Sequence, residues 1–345
     1  MVIDNFLPPP REETIRLAKA WIDNADAVLI CAGAGMSVKE GEMVYTNPED
    51  FAKAYPWFTK WGYKTNYEVM GLEGDPRVPR TAKWALYAKH MDNMRWTFTP
   101  NDGYKSLLSM VKDKDYFVHT SNVDACFERS GFSKDRIYTP QGEWTYLQCT
   151  EPCHEDSVFE SRPYLDIIIP QISSDGSIRQ ESVPKCPRCG GEMFGNVRAG
   201  NNFCHYKYDS QNDKLRAWME GLLQSPKKKV AIIEIGAGFN TPTVTRFPME
   251  SFAHELGNRG KFIRINPTEP EIPHELSQNA VAMDEGWQVL HEMTIATKPS
   301  SLAVNPNVMQ YQQEKDIVLD SGMMNRYKNY FGHFDWRRFL HQLKR

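Results

Sequence analysis

The sequence predicts an α/β fold built on a parallel sheet, and three observations predict it. Short apolar runs recur at Ala27–Cys31, Tyr116–Thr120, Val230–Ile235 and Lys261–Asn266. Stretches of helical periodicity lie beside them, at 11–24, Lys214–Leu223 and Met249–Leu256. Two of the runs open into small-residue turns, Gly33-Ala34-Gly35-Met36-Ser37 and Gly236-Ala237-Gly238-Phe239-Asn240. Runs of this length alternating with helices read as strands of a parallel sheet covered on both faces. The expected architecture is Rossmann-like.

Taken in order, residues 11–24 place Ile15, Leu17, Ala18, Trp21 and Ile22 on one side of an amphipathic helix. The run from Ala27 to Cys31 enters the first glycine turn, the strand-to-loop opening of a nucleotide-binding βα unit. From Glu40 to Thr99 the character changes: Tyr45, Phe51, Tyr55, Trp57, Phe58, Trp61, Tyr63 and Tyr67 crowd a stretch with no long strand-like run. It reads as a helical insertion that packs over the nucleotide site, most of its rings serving as core. The strand Tyr116–Thr120 ends in the polar turn Thr120-Ser121-Asn122-Val123-Asp124. Thr145–Cys204 holds paired cysteines and short strand candidates such as Leu165–Pro170. After about Met293 the pattern gives way to polar sequence and an aromatic, basic end, HFDWRRFLHQLKR.

A chain of 345 residues suits one large domain with insertions, or two lobes. Apolar residues make up 41% and charged residues 25%, an ordinary globular composition. The net charge of −3 gives no basic excess for nucleic acid and no polybasic run for an anionic membrane. Asp4 and Pro8-Pro9-Pro10 break the first residues out of any targeting pattern, and no stretch approaches the roughly eighteen apolar residues of a spanning helix. The expectation is a cytoplasmic protein with no membrane and no nucleic-acid partner.

Seven cysteines are present, an odd number, and four fall into close pairs, Cys149-x3-Cys153 and Cys186-x2-Cys189. Such pairs on facing turns bring four thiolates to one tetrahedral centre, which suits Zn²⁺ in a reducing compartment better than a disulfide framework does. Pro187 stiffens the second knuckle, and Gly190 and Gly191 let the backbone turn around the metal. With sulfur in every position the ion is structural. His154, Cys204 and His205 stand outside the quartet, and Cys31 and Cys126 read as buried apolar residues.

The two glycine turns, the Thr120–Asp124 turn and Ile265-Asn266 all sit at strand C-termini, the rim where open α/β sheets bind ligands. Backbone N–H groups of such turns can approach phosphate where no side chain intrudes. The order of motifs, Gly-Ala-Gly-x-Ser, then T-x-N-x-D, two cysteine pairs, a second glycine loop and an Ile-Asn turn, resembles the sirtuin family over roughly Ala25–Leu290.

Three departures stand out. The segment Val38–Tyr45 lacks the family's Pro-Asp-Phe-Arg, Gln141-Gly142 stands where most members have His-Gly, and Gly195-Asn196-Val197-Arg198 brings a cation where most have an apolar stretch. With YTPQGEWTYLQCTEPCH and EIGAGFNTPTVTRFP, these make the chain similar to the macrodomain-linked branch, class M. That resemblance implies NAD as the consumed substrate and contacts to it from Ala32, Gly33, Ala34, Gly35, Ser37, Ser121, Asn122, Asp124, Gln141, Gly236, Ala237, Gly238, Asn240 and Asn266. It also implies protein mono-ADP-ribosylation of an acceptor such as a lipoylated glycine-cleavage-H-like protein, with a macrodomain hydrolase as a further partner. The corresponding organisation is an NAD-binding Rossmann-like domain at 11–145 and 206–293 with the insertion at about 40–100, a zinc-binding module at 146–205, and a C-terminal extension at 294–345.

Breaking the nicotinamide–ribose bond develops positive charge on the sugar, which a nearby carboxylate or amide can meet. Asn122 and Asp124, two apart on an extended turn, can both face it. By resemblance Asn122 orients the ribose or nicotinamide region, and Asp124 binds the carboxamide or stabilises charge. Asp124 can also cap a helix starting near Ala125. Gln141 can hydrogen-bond the ribose diol but cannot take a proton, which removes something on the order of 10²–10⁴-fold from the deacylation route. The sugar cation is then open to another nucleophile. Arg198 either holds an acidic acceptor group or phosphate, or is an ordinary surface arginine. His119 is the one nearby histidine, and its mid-strand position places it in the sheet. A deacylase working without the histidine, a weak NAD-binding sensor and an NAD hydrolase remain as alternatives.

Overall fold

The computed structural model describes residues 10–38, 47–66, 68–239 and 241–297. The expected aromatics Tyr45 and Tyr67, the rim residue Asn240 and nearly all of the C-terminal extension lie outside the described residues. Nine strands follow one another in the described chain: β1 (Ala27–Ala32), β2 (Asp115–Thr120), β3 (Ile137–Tyr138), β4 (Gly142–Cys149), β5 (Val158–Glu160), β6 (Met193–Val197), β7 (Val230–Ile235), β8 (Gly260–Ile265) and β9 (Ala280–Met283). Six of them form one parallel sheet in the order β3-β2-β1-β7-β8-β9. The order reverses between β1 and β7, which fixes where a ligand crevice opens.

The apolar strand runs alternate between two cores. Val28, Ile30 and Ala32 of β1 face one cluster, and Ala27, Leu29 and Cys31 face the other. Helix α1 (Arg11–Asn24) covers the first face with Ile15, Leu17, Ala18, Trp21 and Ile22, all buried as their spacing requires. Glu12 and Glu13 in its first turn suit the positive end of the helix.

The insertion supplies α2 (Pro48–Ala54) and α3 (Arg80–Met91), followed by a π-helical turn, Asp92–Thr97, and then α4 (Asp102–Val111). Asn47 and Asn101 cap α2 and α4, each accepting the N–H two residues on, at 2.9 Å and 3.0 Å. The four-residue turn α5 (Cys126–Arg129) follows β2. Phe51, Trp84 and Met91 share one core with Leu147, Cys149, Cys186 and Met193. Among the described residues the rings of the insertion build or border a core, and that core is shared with the small antiparallel sheet β5-β4-β6.

One strand expectation is corrected. Leu165–Pro170 is helical, as α6 (Arg162–Ile168) and a 3₁₀ turn, Ile169–Gln171. Pro163 in the first turn starts the helix, and Leu165 and Ile168 bury at i, i+3 while Ile167 is 57% exposed. A β-branched run hid that periodicity. The remaining helices, α7 (Asp209–Leu223), α8 (Arg246–Leu256) and α9 (Val289–Ile295), complete the layers, α7 and α8 on the second face and α9 beside α1 and α4 on the first. Among the described residues no helix is long and apolar enough to cross a membrane.

Candidate functional site

Where β1 and β7 end, the two glycine loops meet through bare backbone. The Gly33 N–H donates to the Ile235 carbonyl at 3.0 Å, and the Gly35 N–H to the Gly236 carbonyl at 3.1 Å. A Cβ on Gly33 would stand 2.5 Å from the Gly236 oxygen, and one on Gly35 would stand 2.7 Å from the Gly236 α-carbon. Gly236 itself has φ +62°, in the left-handed region. Both amides are thus engaged within the protein, and the glycines allow loop-on-loop contact in addition to any ligand approach.

The third loop locks onto the second. Asn266 donates to the Ala237 carbonyl at 3.1 Å and accepts the Glu269 N–H at 3.1 Å, while Glu269 accepts the Phe239 N–H at 3.0 Å. Beneath them Arg264 pairs with Glu234 at 2.7 Å and with Glu250 at 2.6 Å, all within the sheet's second face. Arg246 crosses from α8 to the Glu269 carbonyl at 3.0 Å. A charge network this buried is costly unless every member is bonded, and here it fixes the loop after β8.

The Thr120–Asp124 turn converges on Ser37. The Ser37 hydroxyl donates to Asp124 Oδ2 at 2.6 Å and accepts from Asn122 Nδ2 at 3.1 Å. The Tyr104 hydroxyl lies 2.8 Å from Ser37 Oγ. Because the single Ser37 proton goes to the carboxylate, Tyr104 is the donor in that pair. Asp124 Oδ1 accepts the Cys126 N–H at 2.8 Å, so this carboxylate also closes an Asx turn leading into α5. Ser37, Asn122 and Asp124 are all 5% exposed or less. Ser121 donates its N–H to the Ala32 carbonyl at 3.0 Å, joining this turn to the end of β1.

Gln141 is buried at 8% exposure, and its carbonyl accepts the Arg198 N–H at 2.9 Å. Gly142 beside it has φ +83°, and a Cβ there would meet the Asn196 carbonyl oxygen at 2.1 Å. The turn therefore depends on glycine. Trp144 donates its N–H to the Val123 carbonyl at 3.1 Å, tying β4 to the Asn122–Asp124 turn. Arg198 is a held side chain: Nε donates to the Pro140 carbonyl at 3.1 Å, and the guanidinium lies 4.3 Å over the Phe203 ring. Burial pulls its pKa down, and among the described residues no carboxylate forms an ion pair with it.

A cleft enclosing about 510 Å³, its open mouth included, runs past Asn122 and Asp124 to Glu128, Lys134, Glu143 and Tyr146. Gln141 is not among its lining residues. His119 is fully buried, with Nε2 2.7 Å from the Val244 carbonyl, and burial pulls its pKa down to about 4. It sits within the sheet, as its mid-strand position implied. Burial pushes the Cys31 and Cys126 thiols up, so neither is a poised nucleophile. Sequence reasoning missed Tyr104, and it missed Asn101, whose amide donates to the Met36 carbonyl at 2.7 Å. Both come from α4, about 65 residues after the loop they hold, with no local motif to mark them.

The four cysteines Cys149, Cys153, Cys186 and Cys189 gather with their ligand atoms within 4.8 Å of one another. Two sulfur pairs stand at 3.6 Å (Cys149–Cys189) and 3.8 Å (Cys153–Cys186). A tetrahedron of sulfurs with bonds of about 2.3 Å has edges of about 3.8 Å, so the donor set fits zinc. Burial and the Cys189 thiol push Cys149 up to about 12, which is the state a bound cation would reverse.

No protein-family model matches the chain. Over 257 residues it is 34% identical to a probable bifunctional ADP-ribose hydrolase/ADP-ribosyltransferase of Fusarium oxysporum f. sp. cubense, a match covering 73% of this chain and 42% of that protein. Over 311 residues it is 25% identical to a protein ADP-ribosyltransferase of Staphylococcus aureus, covering 88% of this chain and 93% of that one. A solved Sir2 homologue in complex with 2′-O-acetyl ADP-ribose matches 80% of this chain and 93% of its own at a TM-score of 0.52 and 19% identity. The chain is a sirtuin-fold homologue of ADP-ribosyltransferases.

In this sirtuin-like chain the loop contact at Gly236 is a sharp test of the rim. Gly236→Ala would put a methyl group 2.5 Å from the Gly35 backbone at a positive φ. Left-handed strain and overpacking together are expected to cost about 2–5 kcal/mol. Urea melts should show that loss, and NAD affinity measured on the folded fraction should fall with it.

Proposed function

We propose that this chain is an NAD-dependent protein mono-ADP-ribosyltransferase that releases nicotinamide and passes ADP-ribose to a protein acceptor. One observation supports the reading: the Ser37–Asn122–Asp124 cluster lies at the strand ends, and the segment leading into β4, which Trp144 ties to that turn, carries an amide, Gln141, where the sirtuin pattern has a proton acceptor. As the glycosidic bond lengthens, charge develops on the ribose, and a buried carboxylate and amide held in place meet it without reorganising. Asn122 orients the ribose and nicotinamide, Asp124 supplies the charge, and Gln141 hydrogen-bonds the ribose diol. Ala32, Gly33, Ala34, Gly35, Ser37 and Ser121 on one side, and Gly236, Ala237, Gly238 and Asn266 on the other, form the dinucleotide rim, to which resemblance alone adds Asn240.

Arg198, braced at Pro140 and Phe203 and carrying no carboxylate partner among the described residues, holds an acidic acceptor group or a phosphate. One zinc ion on Cys149, Cys153, Cys186 and Cys189 is structural, since four sulfurs leave no position for a reactant. The NAD-binding domain spans 11–145 and 206–293, the zinc module 146–205 and an extension 294–345. The acceptor is a lipoyl-carrier protein of the glycine-cleavage-H kind, by resemblance to class M sirtuins. The double name of the Fusarium relative, hydrolase and transferase together, supports a macrodomain hydrolase as partner.

The test is incubation with NAD labelled in its adenylate half and a lipoylated carrier protein. Label fixed to the carrier, with one nicotinamide released per label, is the expected result. O-acyl-ADP-ribose from an acyl-lysine peptide at a comparable rate would replace the reading with deacylation. Free ADP-ribose whether or not the carrier is present would mean a hydrolase, and neither label nor nicotinamide would mean a binding module.

A further inference from the structure

We propose that Glu143 is the carboxylate that accepts the proton of the incoming nucleophile, the task for which Gln141 has no chemistry. The inference rests on the transferase reading above. Glu143 follows Gln141 by two residues at the start of β4, and it lines the same cleft as Asn122 and Asp124. It is 8% exposed. A buried carboxylate is ordinarily matched by a cation, yet among the described residues no lysine or arginine forms an ion pair with this one. Its donors are two hydroxyls, Thr139 Oγ1 at 3.3 Å and Thr145 Oγ1 at 3.1 Å. Hydroxyls orient a carboxylate without neutralising it.

The charged groups around it are arranged to leave it so. Arg95, delivered by the π-helical turn, donates to Thr145 Oγ1 at 2.7 Å, so it positions the hydroxyl that holds Glu143. Its guanidinium pairs with Glu128 of α5 at 3.6 Å, and Lys134 pairs with the same Glu128 at 3.6 Å. Tyr146 of β4 and Tyr208 before α7 complete the wall, and Lys207 lies at its rim. Burial pushes the Glu143 pKa up, Lys134 opposes that rise and Glu128 adds to it. A carboxylate raised above its ordinary range is a better proton acceptor near neutrality than a free one.

The step balances as a displacement at C1′ of the ribose. The C1′–N bond breaks and its electron pair leaves with neutral nicotinamide. A lone pair of the nucleophile, an acceptor hydroxyl, amine or thiol, or water, forms the new bond to C1′. The proton it sheds goes to a Glu143 carboxylate oxygen and then to solvent.

The experiment measures formation of ADP-ribose, or its transfer to the carrier protein, by the full chain with NAD from pH 5 to 8. For the wild type, kcat/KM should fall on the acid side with an apparent pKa above the ordinary carboxylate value. Glu143→Gln should lower kcat by about 10²–10⁴-fold with little change in KM for NAD, and should abolish the acid limb. Glu143→Asp should restore part of the rate and the limb. A wild-type profile that is flat from pH 5 to 8, or a Gln variant with the wild-type rate, overturns the assignment of Glu143. A wild type that releases no nicotinamide at any pH, with water or with the carrier, sinks the transferase reading beneath it.

Discussion

Stripping the metal from the cysteine cluster, or replacing Cys186 by serine, is expected to unfold the small sheet together with the core of the insertion. Cys149 and Cys186 are themselves members of that core, packed with Leu147, Leu165, Met193 and the insertion's Phe51, Trp84 and Met91. Their sulfurs also stand where a tetrahedral ion would hold β4 to the Cys186–Cys189 turn. The Gly190 N–H already donates to the Cys186 carbonyl at 2.8 Å, a knuckle shaped before any metal arrives. Without the ion, four thiols crowd one another, and only weak sulfur contacts remain. Structural zinc contributes on the order of 10–16 kcal/mol in isolated fingers, so losing several kcal/mol here is a modest expectation. Elemental analysis should find one zinc per chain. Tryptophan fluorescence should report the loss through Trp84, inside the shared core, and Trp144, packed against it. A chain that keeps its melting transition and its fluorescence after complete metal removal would show that the cluster is not a structural site.

That coupling of module and insertion was not legible in the sequence, for a physical reason. Periodicity reports which face of an element is apolar, and it does so well for β1, β2, β7 and β8, where every residue but Asp115 and Lys261 is buried. It does not report which other apolar face will meet it. The rings of the insertion were readable as core, while their partner, a sheet 50 or more residues downstream, was not. The same limit explains Leu165–Pro170. Leucine and isoleucine in series fit a strand or a buried helix equally, and only Pro163 and the exposure of Ile167 decide between them.

The site divides along the same line. Ser37, Asn122 and Asp124 belong to short local motifs, and their convergence follows from two neighbouring parallel strands ending side by side, with Ala32 opposite Thr120. Tyr104 and Glu143 carry no motif. Tyr104 reaches Ser37 from α4, and Glu143 acquires its setting from a π-helical turn and a short α5, elements whose positions depend on packing across the whole chain. Gln141 and Arg198 lie between these cases. Their identities were readable as departures from a family pattern, and their mutual bracing across the Gly142 turn was not.

The sharpest functional expectation concerns Asn122 and Asp124, because the hydrogen-bond pattern makes their variants separable. Asn122→Ala removes an amide that donates to Ser37 at 3.1 Å and also faces the Tyr104 hydroxyl. Ser37 retains Tyr104 as donor and Asp124 as acceptor, so the loss in stability should stay near about 1 kcal/mol. If Asn122 faces the ribose, nicotinamide release should nevertheless fall by about 10²–10³-fold, mostly in kcat, because an interaction strongest in the transition state has gone. Asp124→Asn is different in kind. Both of its oxygens accept from protein donors, Ser37 at 2.6 Å and the Cys126 N–H at 2.8 Å. An amide can keep one of these and must turn its NH₂ toward the other. The Asx turn into α5 or the Ser37 hub is then lost along with the negative charge, so this variant should lose stability and rate together. Melting curves beside single-turnover nicotinamide release would separate the two patterns. Equal, small losses of rate in both variants would place the reacting sugar elsewhere on the rim, since no group that meets the developing charge can be removed at so little cost.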